Sequence, residues 1–356
     1  MRRALALARR GWGQTAPNPM VGAVVVRGDE VVGDGYHARY GEAHAEVNAL
    51  RAAGDRARGA TVYVTLEPCA HFGKTPPCVD ALIAAGVARV VAATADDSAV
   101  ARGGGERLRS AGVRYETGVE EAAARELNAP FFHALRDDRP WATLKLATSI
   151  DGAIAAPGRR GVWLTGPAAR REVHHLRAGS DAVAVGIGTA LADDPLLTVR
   201  EAPPPRVAPL RVVFDREARL PLTSRMVRTA RETPTVVVAS RPDARRRAAL
   251  EASGVDVLVA GTLGDGLREL RGRGVRSLLV EGGATIASAL VGNALAHRLI
   301  IFQAPVILGA DAVAAFAAWP GRPDVDLARL VVVERRTVGD DFMSVYALQS
   351  PPCSPV

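Results

Sequence analysis

The stretch Thr65-Leu66-Glu67-Pro68-Cys69-Ala70-His71-Phe72-Gly73-Lys74-Thr75-Pro76-Pro77-Cys78, read with the upstream triplet His44-Ala45-Glu46, decides how the chain is organised. One imidazole, His44, and two thiols, Cys69 and Cys78, form a set of three zinc ligands. A catalytic zinc takes three protein ligands and keeps its fourth tetrahedral position for water. Glu46 is not needed by the metal. It is free to move protons between that water and a substrate, while zinc brings the water's pKa towards about 7. A structural zinc has no use for such a carboxylate. His71 could be a fourth ligand, but a fourth protein ligand would close the site, so it is read as a group of the substrate pocket. His37 and His133 read as ordinary surface or core histidines.

The flanking sequence says how these groups are carried. Residues 43–53 have helical composition and stop at Gly54, so His44 opens a helix with Glu46 in its first turn. Residues 60–66 are β-branched and apolar and read as a buried strand. Pro68 predicts a helix start at Cys69, where positive helix-end potential would favour the thiolate. Cys78, after Pro76-Pro77, reads as another helix start. A first helix is expected up to Arg10, and Gly28-Asp29 is a hairpin signal between strands 21–26 and 31–35. Further helices are expected over 79–85 and 119–135, with a strand over 88–93. Strands alternating with helices imply a sheet covered on both faces.

Arg136-Asp137-Asp138-Arg139-Pro140 is charged and ends in proline, which sets the expected boundary. The first domain would span 1–138, the second 139–350, and 351–356 would be a flexible tail. Beyond the boundary, strands are expected over 141–147, 182–185, 211–214, 235–239, 255–259, 277–280, 299–302 and 330–333. Helices are expected over 167–177, 243–252 and 284–291, and the proline-rich 200–209 reads as a surface loop. Val280-Glu281-Gly282-Gly283-Ala284-Thr285 follows an apolar strand and opens a helix. Glycines there let a phosphate approach backbone amides. The dinucleotide fingerprint G-x-G-x-x-G is absent.

Composition bounds the function. The 356 residues are 48% hydrophobic, enough for two cores. Three cysteines make no disulfide framework, and Cys353 lies in the Pro/Ser-rich tail, so a reduced, cytoplasmic compartment is expected. Residues 1–10 read as an amphipathic helix rather than a signal peptide, and no apolar run approaches a membrane span. The formal charge of +7 is unevenly placed: 17 basic and 17 acidic residues lie up to Asp138, against 28 and 21 after it. The half with the zinc cluster therefore lacks the basic excess that nucleic-acid binding needs, which favours a small molecule over DNA or RNA. The excess in the second half suits phosphate-bearing ligands.

H-x-E followed by P-C and a further Cys resembles the signature of zinc nucleobase deaminases, although eight residues rather than two separate Cys69 from Cys78. Pro17-Asn18-Pro19-Met20-Val21-Gly22, His44-Ala45-Glu46-Val47 and the whole 65–78 string closely resemble the RibD family, bifunctional deaminase–reductases of riboflavin biosynthesis. The long polar loop between the cysteines separates that family from cytidine and tRNA adenosine deaminases. The resemblance implies that Asn18 contacts a pyrimidine, and that the 71–75 loop, with His71 and Lys74, holds a ribosyl phosphate.

In the second half, 144–152 (Leu-Lys-Leu-Ala-Thr-Ser-Ile-Asp-Gly), Trp163-Leu164-Thr165-Gly166, 191–200 and 281–289 resemble the family's reductase domain. The fold implied is α/β in two domains: a cytidine-deaminase-like three-layer α/β/α domain, then a dihydrofolate-reductase-like α/β domain. The resemblance further implies one Zn2+ per chain and NADPH. The cofactor would be bound by Ala147, Trp163, Thr189, Asp193 and the turn Gly283, Ala284, Thr285, Ile286, Ala287, Ser288, Ala289, with Arg216 at its adenosine end. Substrate contacts would be Arg177, Leu197, Arg200 and Glu281, with Lys145 near the sugar. Arginines at 177 and 200 suit a substrate phosphate. Where the family usually has a serine, two residues before the tryptophan, this chain has Gly161, placed among the substrate contacts. Lys145, Asp193 and Glu281 remain open as proton donors. A homo-oligomer, dimer or tetramer, is expected, with neither nucleic acid nor membrane as partner.

Overall fold

The structure, a computed structural model, describes residues 1–156, 163–317 and 330–348. Gly161 and the 351–356 tail, with Cys353, lie outside the described residues. The chain forms two units. One is residues 1–137 together with the tripeptide Pro205–Val207; the other is the remainder.

The first unit is built on a five-stranded sheet of β1 (Gly22–Arg27), β2 (Glu30–Tyr36), β3 (Thr61–Val64), β4 (Arg89–Ala92) and β5 (Arg114–Glu116), in the order β2-β1-β3-β4-β5. β1 is antiparallel to β2 and β3; β3, β4 and β5 run parallel. Its helices are α1 (Arg2–Ala8), α2 (Ala45–Ala53), α3 (Cys78–Ala84), α4 (Gly104–Ser110), α5 (Glu121–Leu127) and α6 (Ala129–Ala134). The single helix expected over 119–135 is broken at Asn128. Its side chain leaves the helix path to bond both the N–H and the C=O of Met20, at 2.8 and 2.9 Å.

Side chains alternate across a strand, so successive β1 positions face opposite layers. Gly22 faces α1: a Cβ there would lie 2.0 Å from Ala4 O. Gly35, paired with Ala23, faces α2 on the other side: a Cβ there would lie 2.6 Å from Ala49 N. The helix that follows His44 can settle this close only because no side chain intervenes. Gly35→Ala is therefore expected to push α2 outward and cost about 1–3 kcal/mol. The checks are a lowered unfolding midpoint and a reduced zinc content per chain.

The second unit has a nine-stranded sheet. Its strands are β6 (Trp141–Thr148), β8 (Ala182–Gly186), β9 (Leu210–Phe214), β10 (Thr235–Ala239), β11 (Asp256–Val259), β12 (Ser277–Glu281), β13 (Arg298–Gln303), β15 (Val331–Val338) and β16 (Asp341–Ala347). The order is β11-β10-β9-β8-β12-β6-β13-β16-β15. All neighbours from β11 to β13 are parallel; β16 and β15 close the edge antiparallel. A two-stranded piece joins β7 (Ala153–Ala155) to β14 (Val313–Ala314). The helices are α7 (Pro167–Ala178), α8 (Ile187–Asp193), α9 (Arg225–Arg228), α10 (Ala244–Ala252), α11 (Leu263–Gly272) and α12 (Ala284–Gly292). In the parallel part of the sheet both faces are buried, whereas β15 at the edge is exposed along most of its length. Val212, Val236 and Leu258 belong to one core and their sequence neighbours Val213, Val237 and Val257 to the other. Two-sided burial is why these strands read as unbroken apolar runs.

Candidate active sites

In the first unit the metal-ligand set converges. His44 is the N-cap of α2, with φ −71° and ψ 165°, and Cys78 is the first residue of α3. Cys69 reaches them from the turn after β3. The ligand atoms of His44, Cys69 and Cys78 all lie within 4.8 Å of one another. His44 Nδ1 is 3.2 Å from Cys78 Sγ and 3.6 Å from Cys69 Sγ. Among the described residues no other His, Cys, Asp or Glu joins this set, so His71 is not a fourth ligand. His71 instead keeps Nδ1 buried without a described partner.

Cys69 does not start a helix, contrary to the reading from Pro68; residues 67–77 are irregular. The helix end that serves it belongs to α3, whose first N–H, on Cys78, donates to Cys69 Sγ at 3.4 Å. The Cys69 thiol is lowered to about 4, first by its hydrogen bond with the Cys78 thiol and then by His44. Cys78 is pushed upward by Cys69 and by burial. The turn itself is anchored by Glu67, whose carboxylate accepts the N–H groups of Gly105 and Asp96 at 2.7 and 3.1 Å.

Glu46 is 3% exposed, with its carboxyl in reach of Cys78. Burial raises its pKa, against the opposing pull of His44. A buried carboxyl beside the metal ligands, but not one of them, is suited to carry a proton. His37, read as ordinary, is 2% exposed and lies edge-on to the His44 ring with centroids 5.2 Å apart. Its Nδ1 is 3.2 Å from Ala43 O, so Nδ1 carries the proton and Nε2 accepts from Asn18 Nδ2 at 3.4 Å. Asn18 thus stands one imidazole away from the metal ligands. Lys74 is exposed and touches the Tyr40 ring. Only the spacing of His37, seven residues before His44, could have marked it, and the stretch between them is not helical, so the two-turn spacing carries no signal here.

In the second unit the candidate residues gather just beyond the carboxyl ends of parallel strands, where open α/β sheets bind ligands. β6 alternates buried and half-buried residues, which puts Lys145 and Ala147 on the face opposite Leu144 and Leu146. Lys145 pairs in register with Glu281 on β12, and its Nζ is 3.7 Å from Glu281 Oε2. Arg177 on α7 meets the same carboxylate, with Nε to Oε1 and Nη2 to Oε2 at 3.0 Å, and Nη1 donates to Thr198 O at 2.9 Å.

Arg177 and Glu281, expected as separate substrate contacts, are thus each other's partners. The Arg177 fork is committed, whereas Arg200 is exposed and, among the described residues, its side chain bonds only Thr198 Oγ1, at 2.8 Å. The Arg200 N–H donates to Nδ1 of buried His174 at 3.1 Å. Burial pushes the Glu281 pKa up, but Arg177 and Lys145 outweigh it and hold it at about 2. Burial lowers Lys145, with Glu281 resisting.

After β12, Gly282 and Gly283 have φ of 59° and 93°, a left-handed turn that favours glycine. A Cβ on Gly283 would lie 2.8 Å from Thr189 Oγ1, so Thr189 and the start of α12 face each other. Ala284 and Thr285 offer backbone N–H groups at that start. Ile286 and Ala287 belong to the core, and Ser288 Oγ bonds Ala284 O, so these three turn their side chains away from any ligand. Ala289 lies farther along the same helix. Leu197 is likewise buried, with φ 54°, and can offer only backbone. Asp193 ends α8 and Arg216 follows β9; both are exposed, and Trp163 is 70% exposed beneath the Arg170 guanidinium.

A zinc-ligand set beside a buried carboxylate in one unit, and a strand–Gly-Gly–helix turn suited to a phosphate in the other, define the class: a two-site enzyme that joins zinc-dependent chemistry to a unit binding a phosphate-bearing ligand. Comparison with known families places the cytidine and deoxycytidylate deaminase zinc-binding region at residues 1–94 and the RibD C-terminal domain at 140–342. The chain belongs to the RibD family of riboflavin biosynthesis. It is 43% identical to the riboflavin biosynthesis protein RibD of Aquifex aeolicus over 312 residues, 87% of each chain. It is 42% identical to that of Escherichia coli over 362 aligned positions, 96% of each. The solved RibD of Acinetobacter baumannii superposes with a TM-score of 0.83 at 38% identity, covering 97% of both chains. A Thermotoga maritima diaminohydroxyphosphoribosylaminopyrimidine deaminase/5-amino-6-(5-phosphoribosylamino)uracil reductase does so at 0.84 and 32%, covering 98% of this chain and 97% of that one. The family uses zinc in its first domain and NADPH in its second.

Proposed function

We propose that the first unit hydrolyses an exocyclic amine from 2,5-diamino-6-(5-phosphoribosylamino)pyrimidin-4(3H)-one. The second unit then reduces the ribosyl chain to ribityl, giving 5-amino-6-(5-phosphoribitylamino)uracil. The observation that carries this reading is the convergence of His44, Cys69 and Cys78 with Glu46 buried at their side. The donor set fits zinc: two sulfurs, one imidazole, a thiol already biased towards thiolate, and no fourth described ligand. When bound, zinc acidifies water and so supplies a nucleophile near neutral pH. Glu46 takes a proton from water and returns it to the departing amine. Asn18 and His37 hold the ring in place.

In the second unit Arg200, exposed and not tied to a carboxylate among the described residues, is the cation assigned to the substrate phosphate, while the N–H groups around Gly283, Ala284 and Thr285 suit the cofactor's phosphates. NADPH, when bound, supplies the hydride that opens the ribosyl ring at C1. Glu281, held at about 2, is a carboxylate at neutral pH and has no proton to give. Lys145, beside it and lowered by burial, is the group placed to protonate the sugar oxygen. Among the described residues no helix is long and apolar enough to cross a membrane. Two thiols kept as ligands suit a reducing compartment, so we place the enzyme in the cytoplasm.

Incubation with the diaminopyrimidine substrate, with and without NADPH, tests the assignment. Ammonia is expected in both cases, and NADPH oxidation only after deamination. NADPH oxidation that precedes ammonia release would reverse the order proposed.

A further inference from the structure

Pro205–Val207 packs as part of the first unit, although the sequence around it reads as a surface loop. The Arg206 N–H donates to Gly13 O at 2.9 Å and its Nη2 to Ala16 O at 2.6 Å. The guanidinium stands over the Tyr40 ring, 4.9 Å from its centroid, and Lys74 Nζ is 4.4 Å from the same centroid. Two cations therefore share one aromatic ring. Among the described residues neither has a carboxylate within ion-pair distance, and Arg206 Nε is buried with no hydrogen-bond partner. Like charges brought together around one ring repel, and a buried N–H left unbonded costs free energy. An anion held by both cations would offset the repulsion.

The place of the pair says which anion. Tyr40 lies four residues before His44, and Lys74 lies on the loop between Cys69 and Cys78. Ala16, which holds Arg206, is two residues from Asn18, and Asn18 bonds His37 beside the His44 ring. The pair is thus linked through short steps to the metal pocket. We propose that Arg206 binds the phosphate of the deaminase substrate together with Lys74, its fork supplying the directional contact and the lysine a second charge. This rests on the reading above that the first unit acts on a phosphorylated pyrimidine. Arg206 is a specificity residue for that step, not a catalytic one.

The test measures ammonia release by Arg206→Gln from the ribosylaminopyrimidine phosphate and from its dephosphorylated counterpart. With the phosphate, KM should rise about tenfold or more while kcat holds. With the dephosphorylated compound the variant should match the unaltered enzyme, and Arg206→Lys should recover part of the lost affinity. Equal losses on both compounds would make Arg206 a prop for the Ala16 turn and overturn the proposal. Titration of ribose 5-phosphate into the full chain reads the same contact without turnover. One class of sites should weaken by about tenfold in Arg206→Gln, and superimposable isotherms overturn the proposal. If the unaltered enzyme released no ammonia yet the isotherms still differed, the substrate reading would fall and the anion site would stand.

Discussion

Glu46→Gln is expected to lower ammonia release by about a hundredfold to ten-thousandfold, the range supplied by a positioned proton carrier. The substitution keeps shape and burial, so a residue that is 3% exposed is replaced without opening a cavity. It removes only the ability to exchange a proton. Zinc content should remain one per chain, because the ligand set is His44, Cys69 and Cys78 and does not include Glu46. Reduction of 5-amino-6-(5-phosphoribosylamino)uracil with NADPH should proceed unchanged, since Lys145, Arg177 and Glu281 are untouched. A variant that binds zinc and deaminates at full rate would remove Glu46 from the mechanism. A variant that loses zinc would instead make it part of the metal's support.

The metal centre was legible because ligand chemistry is written in residue type. Only a few side chains hold zinc, and His44, Cys69 and Cys78 are three of them, with Glu46 at fixed spacing. The β-branched runs of the second unit were legible because two-sided burial leaves no polar interruption. What stayed hidden depends on distant parts of the chain. α4 begins with Gly104-Gly105, poor helix formers, and holds because Glu67 accepts the Gly105 N–H. β16, Asp341–Ala347, mixes polar and apolar residues because it pairs with β13 on one side and β15 on the other while part of it stays exposed. The break at Asn128 comes from Met20, a residue 108 positions away. Cys69 looked like a helix start because proline precedes it. The helix start read at Cys78 is where α3 begins, and its N–H reaches back to Cys69, a contact that no local pattern reveals. His37 and Arg206 carry no motif at all, and only the folded chain sets His37 beside the His44 ring and Arg206 over the Tyr40 ring.

Arg177→Met should cost the second unit about 3–5 kcal/mol, the penalty for leaving a buried charge without its partner. Glu281 is 9% exposed, and after the substitution it would keep only Lys145, at 3.7 Å. Reductase activity should fall with stability, since Thr198 O also loses its donor and the segment carrying Arg200 loses an anchor. The pH dependence identifies the cause. In the unaltered protein Glu281 is depressed from its ordinary 4.5 to about 2, so its contribution is fully present above 4.5 and is lost as pH falls towards 2. Without Arg177, burial dominates and the carboxyl takes a proton at higher pH. The stability gap between the two proteins should therefore be widest near neutrality and shrink on acidification, as read from denaturant midpoints between pH 7 and 3. Glu281→Gln added to Arg177→Met should restore part of the stability but not the reductase, because the carboxylate beside Lys145 is then gone. A gap that stays constant with pH would mean that Arg177 acts by packing alone, and the paired charges at the end of β12 would then have no part in holding the site.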